Sequence, residues 1–181
     1  MPFVHSVGHG TAAAKDFAAL ARDARIDVIV DIRRFPGSRR NPQYAQDAMA
    51  VWLPQEGVAY EHEPLLGGRR KLTDGSVNLG LRNEQFRAYA DYMYTPDFAE
   101  GIERLMGVAA TRQVAMMCSE SVWWRCHRRL VADHLVLVHG TPVRHLLHDG
   151  RVTSHVPTPE AALVGNRVVY ASPLEPETVT T

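Results

Sequence analysis

The feature that most constrains this chain is the run Val28-Ile29-Val30-Asp31-Ile32. It is nearly all β-branched and lacks the alternation of a strand with one wet face, so it predicts a strand buried on both faces of a parallel sheet. Before it, Phe3 to Val7 is a short β-prone stretch ending at Gly8. Ala12 to Ala24 then places Phe17, Leu20, Ala21 and Ala24 at helical spacing. Strand, helix and buried strand in that order make a βαβ unit.

The same alternation continues down the chain. Phe35 to Pro42, with two prolines and a glycine, reads as a loop, and Tyr44 to Glu56 as a helix with Pro54 near its end. Val58 to His62 is a third strand, and the glycine-rich stretch Leu65 to Asn83 a long irregular connection. Two helices follow, Glu84 to Tyr94 and Pro96 to Ala110, with Thr95 as N-cap and proline in the first helical position. Val114 to Cys118 repeats the buried-strand pattern, and Val122 to His139 has helical spacing through Trp123, His127, Leu130, His134 and Val138. Asp149-Gly150 between Pro142–Leu147 and Arg151–Val156 signals a hairpin. The expected fold is therefore α/β, a single three-layer α/β/α domain over residues 1–157 with a mostly parallel sheet and a C-terminal hairpin. Residues 158–181, rich in proline and threonine, read as a loosely ordered tail, in which Val168-Val169-Tyr170 could add an edge strand.

At 181 residues with 45% hydrophobic content, such a domain buries roughly 70% of its unfolded surface and needs no disulfide staples. Two cysteines exclude a disulfide-built scaffold. MPFVHSVGHG lacks the basic start and apolar run of a signal peptide, and no stretch has the length of a membrane span, so a cytoplasmic protein without a membrane partner is expected. The chain leaves its oligomeric state open.

Twenty basic and twenty acidic residues cancel, but unevenly. All the basic residues except Lys15 and Lys71 are arginine, and Ile32 to Tyr44 holds four arginines and no acid. A GC-rich genome would enrich arginine everywhere. Arginines clustered beside glycine and proline also suit bidentate contact with phosphate or carboxylate.

Ligands of open α/β sheets bind outside the carboxyl ends of the strands. Three strand ends here carry polar groups: His9 after the first, Asp31 with Arg33 at the second, Cys118 with Glu120 at the fourth. Cys118, placed just before the predicted helix, gains as a thiolate from the helix N-terminus and loses from Glu120. Glu120 is therefore the preferred acid–base or nucleophilic residue, with Asp31 as its carboxylate partner or, equally, as the ion-pair partner of Arg33 or Arg128. His127 orients Glu120 or packs toward the sheet. Arg33, Arg39, Arg40, Arg69 and Arg128 are expected to hold anions, with His9 beside them, and Tyr89 and Trp123 to provide aromatic surface. No cofactor is assigned. Cys118, Cys126, His127 and His9 include metal-ligand types, but residues adjacent on a helix point about 100° apart, and the familiar zinc spacings are absent.

Several blocks of this chain resemble the bacterial and archaeal family called domain of unknown function 488. They are Ser6-Val7-Gly8-His9, Val30-Asp31-Ile32-Arg33 with Phe35 to Pro42, Leu66-Gly67-Gly68-Arg69, Tyr89 to Met93, Met117-Cys118-Ser119-Glu120, and Cys126-His127-Arg128-Arg129-Leu130. The resemblance runs over about residues 4 to 147 and implies an α/β domain, without an established reaction. It gathers the residues that the strand-end argument gathers.

The expectation is an enzyme acting on a nucleotide, nucleobase or nucleic-acid substrate, with arginines on phosphate, aromatics on the base, and Glu120 or Cys118 doing the chemistry. Cleavage or exchange at a glycosidic bond suits paired carboxylates. The alternatives are a non-catalytic nucleotide- or nucleic-acid-binding module and a redox protein switched by Cys118 and Cys126. Overall neutrality argues against extended duplex binding.

Overall fold

The computed structural model describes residues 2–172. Six strands form the main sheet: β1 (Val4–Gly8), β2 (Val28–Asp31), β3 (Ala59–His62), β4 (Val114–Cys118), β5 (Val143–Leu146) and β6 (Val152–Ser154). Their order is β3-β2-β4-β1-β5-β6, parallel throughout except where β6 folds back on β5. The three central strands, β2, β4 and β1, are buried along their whole length, as their unbroken apolar runs require.

Five helices cover the two faces: α1 (Ala14–Asp23), α2 (Gln46–Gln55), α3 (Glu84–Tyr92), α4 (Pro96–Ala109) and α5 (Arg128–His139). Helices α1 and α2 bring Phe17, Ala21, Met49 and Leu53 against Ile29, Ala115 and Met117 on one face. Helices α3 to α5 bring Phe98, Leu105, Leu130 and Leu135 against Val28, Val30, Val114 and Met116 on the other. The chain moves outward from β1 through α1 to β2 and β3, then returns through α3 and α4 to place β4 between β2 and β1. Neighbouring strands β1 and β4 are thus followed by helices on opposite faces. Their carboxyl ends form the topological switch point, where the diverging connections leave a crevice. Thr95 caps α4 by accepting the Phe98 amide at 3.3 Å, with Pro96 next to it, as the sequence predicts.

Two expectations are corrected. The helix predicted from Val122 is a 3-10 turn at Trp123–Arg125 followed by extended Cys126, and α5 begins only at Arg128. The Glu120 carboxylate accepts the Val122 amide at 3.0 Å, and buried Arg128 donates to the Glu120 carbonyl oxygen, closing a loop where the helix was expected. The expected loose tail is structured through Tyr170: β7 (Ala161–Val164) and β8 (Arg167–Tyr170) pair as an antiparallel hairpin packed on α5. The rest of that segment, 173–181, lies outside the described residues.

Asp133 of α5, fully buried, holds this hairpin. Its carboxylate accepts from His155 Nε2 at 2.8 Å, the Thr158 amide at 2.8 Å, Thr158 Oγ1 at 2.7 Å and the Tyr170 hydroxyl at 2.8 Å. Charge-assisted bonds of this kind are about twice as strong as neutral ones, and each buried donor left alone costs about 1–3 kcal/mol. Asp133→Ala is expected to destabilise the protein by about 3–5 kcal/mol, measured by urea unfolding. A loss below about 1 kcal/mol would show that the hairpin is held by its apolar contacts alone.

Candidate functional site

A cavity of about 960 Å³ lies at the switch point. It forms because strand register sets Gly8 beside Cys118 and Asp31 beside Met117, so three strand ends stop at one level. Beyond them the β1 and β4 loops run side by side, with the His9 amide donating to the Cys118 carbonyl at 3.0 Å and the Gly10 amide to the Ser119 carbonyl at 2.9 Å. This approach requires glycine at position 8, where a Cβ would stand 1.9 Å from the Glu120 carbonyl oxygen. His9, Arg33, Arg39, Arg40, Arg69, Tyr89, Cys118, Glu120 and His127 all line the cavity. Asp31, Trp123 and Arg128 do not.

Asp31 is a structural anion. Arg33 grips it as a fork, Nε to Oδ1 at 2.8 Å and Nη2 to Oδ2 at 2.6 Å, and the Tyr60 hydroxyl donates to Oδ2 at 2.7 Å. Both charges are buried, Asp31 at 0% and Arg33 at 7% exposed. The expected pairing of Asp31 with Glu120 in catalysis is therefore corrected, because the carboxylate is saturated and sits behind Arg33.

Arg33 in turn is mostly spent. Nη2 also donates to the Tyr44 carbonyl at 2.8 Å, and Nη1 meets His9 Nε2 at 3.2 Å, so one of its five N–H groups remains for the cavity. His9 is spent as well: Nδ1 bonds the Gly10 carbonyl at 2.8 Å, and the ring stacks on Tyr44 with centroids 4.0 Å apart. With Nδ1 donating, Nε2 must accept from Arg33. His9 thus positions Arg33 and offers no free nitrogen to a ligand.

The other assigned contacts divide similarly. Trp123 turns away and stacks on His145, with centroids 4.0 Å apart and planes 4° from parallel. It cannot take a base. Arg128 is walled in by the Glu120 carbonyl and Ser6 Oγ at 3.4 Å, so it cannot bind substrate. Tyr89 spends its hydroxyl on the Leu66 carbonyl at 2.6 Å and presents only its ring, 4.9 Å from that of His127. The aromatic faces open to the cavity are Phe35, 63% exposed, and half-buried Phe86. Phe86, on α3, carried no signal in the sequence that set it apart from a packing residue. Phe35, inside the arginine loop, was readable as exposed.

The floor carries the two thiols. Because α5 begins at Arg128 with His127 as its N-cap, the cysteine next to a helix N-terminus is Cys126, while Cys118 ends a strand eight residues earlier. A hydrogen bond to Cys126, then burial, pushes the Cys118 thiol up to about 12. Burial opposes a Cys126 thiolate too, yet the Cys118 hydrogen bond and the Arg128 charge outweigh it and bring that thiol down to about 6. The environment thus favours an anion on Cys126 over one on Cys118, so the gain from a helix N-terminus that the sequence suggests for Cys118 falls to Cys126. His127 Nδ1 lies 3.7 Å from the Cys126 sulfur and 4.0 Å from that of Cys118.

Burial lowers the His9 pKa to about 4, with the Gly10 carbonyl and Asp31 opposing and Arg33 and Arg128 assisting the shift. A histidine held neutral in the folded state takes up its proton mainly on unfolding, so its contribution is complete above about pH 6.5 and is lost on acidification toward pH 4. From pH 6.5 to 5 His9 is expected to cost the protein about 2 kcal/mol. Urea unfolding at several pH values checks this, with His9→Gln flattening the acid limb. An unchanged limb in His9→Gln would mean that His9 is already protonated in the fold.

Residues 13–135 match a family model described as Domain of unknown function DUF488. No curated protein matches the chain, and no solved structure does.

Proposed function

The chain belongs to the domain of unknown function DUF488 family, and from its cavity we propose an enzyme acting on a phosphate-bearing substrate of the nucleotide, nucleobase or nucleic-acid class. One observation carries this reading. Arg39, Arg40, Arg69 and Arg125 line the mouth, all four are exposed, and none forms a salt bridge among the described residues. All four face a cavity whose lining, among the described residues, holds a single carboxylate, Glu120.

Free guanidinium forks match phosphate oxygens two at a time. Arg69 stays at the mouth with φ at 58°, a left-handed backbone costing a non-glycine residue about 1–2 kcal/mol. Its carbonyl accepts from Arg34 Nη1 at 3.1 Å. Phe35 and Phe86 supply stacking faces for a base. A cavity of about 960 Å³ suits one nucleotide or a flipped base better than a duplex. Glu120 is the acid–base group of this reading, since it is the lone carboxylate of the lining and Asp31 is sequestered.

Calorimetric titration with nucleoside mono- and diphosphates tests the ligand class. Affinity is expected to fall steeply between 50 and 500 mM salt, roughly as two to four released counterions require, and about 10- to 100-fold in the Arg39→Ala/Arg40→Ala double variant. A flat salt response with unaltered affinity in the double variant would make these arginines ordinary solvated surface. Chromatography of a nucleotide and oligonucleotide panel tests turnover, which Glu120→Gln is expected to abolish while binding persists. Binding without turnover across that panel favours the non-catalytic module.

A further inference from the structure

We propose that the floor of the cavity is a zinc site, in which the sulfurs of Cys118 and Cys126 and Nδ1 of His127 supply three ligands and the fourth position opens toward the arginine-ringed mouth. It stands on the placement of these three side chains, independently of which ligand the mouth holds.

The sequence argument against such a site assumed that Cys126 and His127 share a helix. They do not: Cys126 is extended, at φ −121° and ψ 149°, and His127 is the N-cap of α5. The kink between them turns both side chains to one point, and Cys118 reaches it from the rigid end of β4. All three ligand atoms lie within 4.8 Å of one another, with nitrogen-to-sulfur separations of 3.7 and 4.0 Å. Tetrahedral zinc with bonds of about 2.3 Å to sulfur and 2.0–2.1 Å to nitrogen spaces its ligand atoms about 3.6–3.8 Å apart. Closing on the ion therefore takes side-chain movements of an ångström or less.

The imidazole is held for this orientation. Tyr89 packs on the ring, and Gly68 lies so close that a Cβ there would stand 3.0 Å from Nδ1. Nε2 is buried and has no hydrogen-bond partner among the described residues, so the polar contacts of this ring all lie on the sulfur side.

Two thiolates and an imidazole are soft and borderline donors, suited to zinc and poor for magnesium or calcium. Once both thiols have given up their protons to the solvent, the set carries two negative charges, which a divalent ion cancels. Among the described residues no fourth protein ligand is at hand: both His9 nitrogens are spent, and the Glu120 carboxylate caps Val122. Three protein ligands with one open position is the arrangement of catalytic rather than structural zinc, leaving room for water or a substrate oxygen. All three ligands line the cavity that Arg39, Arg40 and Arg69 surround.

The test uses the full chain, reduced and stripped with a chelator, without nucleotide. Zinc binding is read by competition with a chromophoric chelator and elemental analysis, and folding by circular dichroism. One zinc per chain is expected, with affinity reduced by at least about 100-fold in Cys118→Ser and Cys126→Ser, beyond the 10- to 100-fold that loss of an outer-shell partner costs. Cobalt substituted into the wild-type chain is expected to give thiolate-to-metal charge-transfer bands and the visible bands of a tetrahedral ion, a readout that needs no variant to fold. A folded, reduced chain that takes no zinc overturns the site, as does a cobalt spectrum without thiolate bands. Undiminished zinc affinity in both serine variants overturns it too, and so does a Cys118–Cys126 disulfide whose reduction fails to restore metal binding. Each result is read without substrate, so failure here leaves the nucleotide reading to its own titration.

Discussion

The Asp31–Arg33 ion pair is the interaction on which the rest of this architecture depends. Desolvating two charges costs several kcal/mol per ion, and only good geometry with further hydrogen bonds repays it. Here a bidentate fork, the Tyr60 hydroxyl, the Tyr44 carbonyl and His9 complete the shell. Through these partners one buried pair ties the ends of β1, β2 and β3 to the loop that leads into α2. The arginine loop 33–40 can therefore stand at the mouth of the cavity without collapsing onto Asp31.

This pair also sorts the cations by task. Arg33 and Arg128 are buried and hold partners inside the protein, while Arg39, Arg40, Arg69 and Arg125 remain exposed on the rim. Arginine suits both roles because its charge survives burial and its planar fork serves carboxylate and phosphate equally. The cavity then has layers: guanidinium groups at the mouth, Phe35 and Phe86 along the wall, Glu120 at one side, and the Cys118, Cys126 and His127 cluster on the floor.

Much of the fold was legible because burial on two faces leaves an unmistakable run in Val28 to Ile32 and Val114 to Cys118, and because strand–helix alternation implies parallel pairing. The gathering of His9, Arg33, Cys118 and Glu120 followed from that alone. What stayed hidden were choices made by tertiary contacts. Helical spacing from Val122 onward could not reveal that Glu120 caps Val122 and Arg128 ties back to the Glu120 carbonyl, yet that loop decides which cysteine precedes the helix and whether Cys126 and His127 converge. Trp123 looked like a stacking platform because its partner, His145, lies on β5, 22 residues on. In the segment after residue 158 the run Val168 to Tyr170 showed as strand, but its pairing with β7 was obscured by prolines and threonines whose order depends on one distant carboxylate, Asp133.

Nitrogen-15 NMR of the arginine side chains during titration with a nucleoside diphosphate reads the division between buried and rim arginines residue by residue. The Nε–H signals of Arg39, Arg40, Arg69 and Arg125 are expected to shift and saturate together, while those of Arg33 and Arg128 stay near their free positions. Ligand-dependent shifts confined to Arg33, with the rim unmoved, would contradict it.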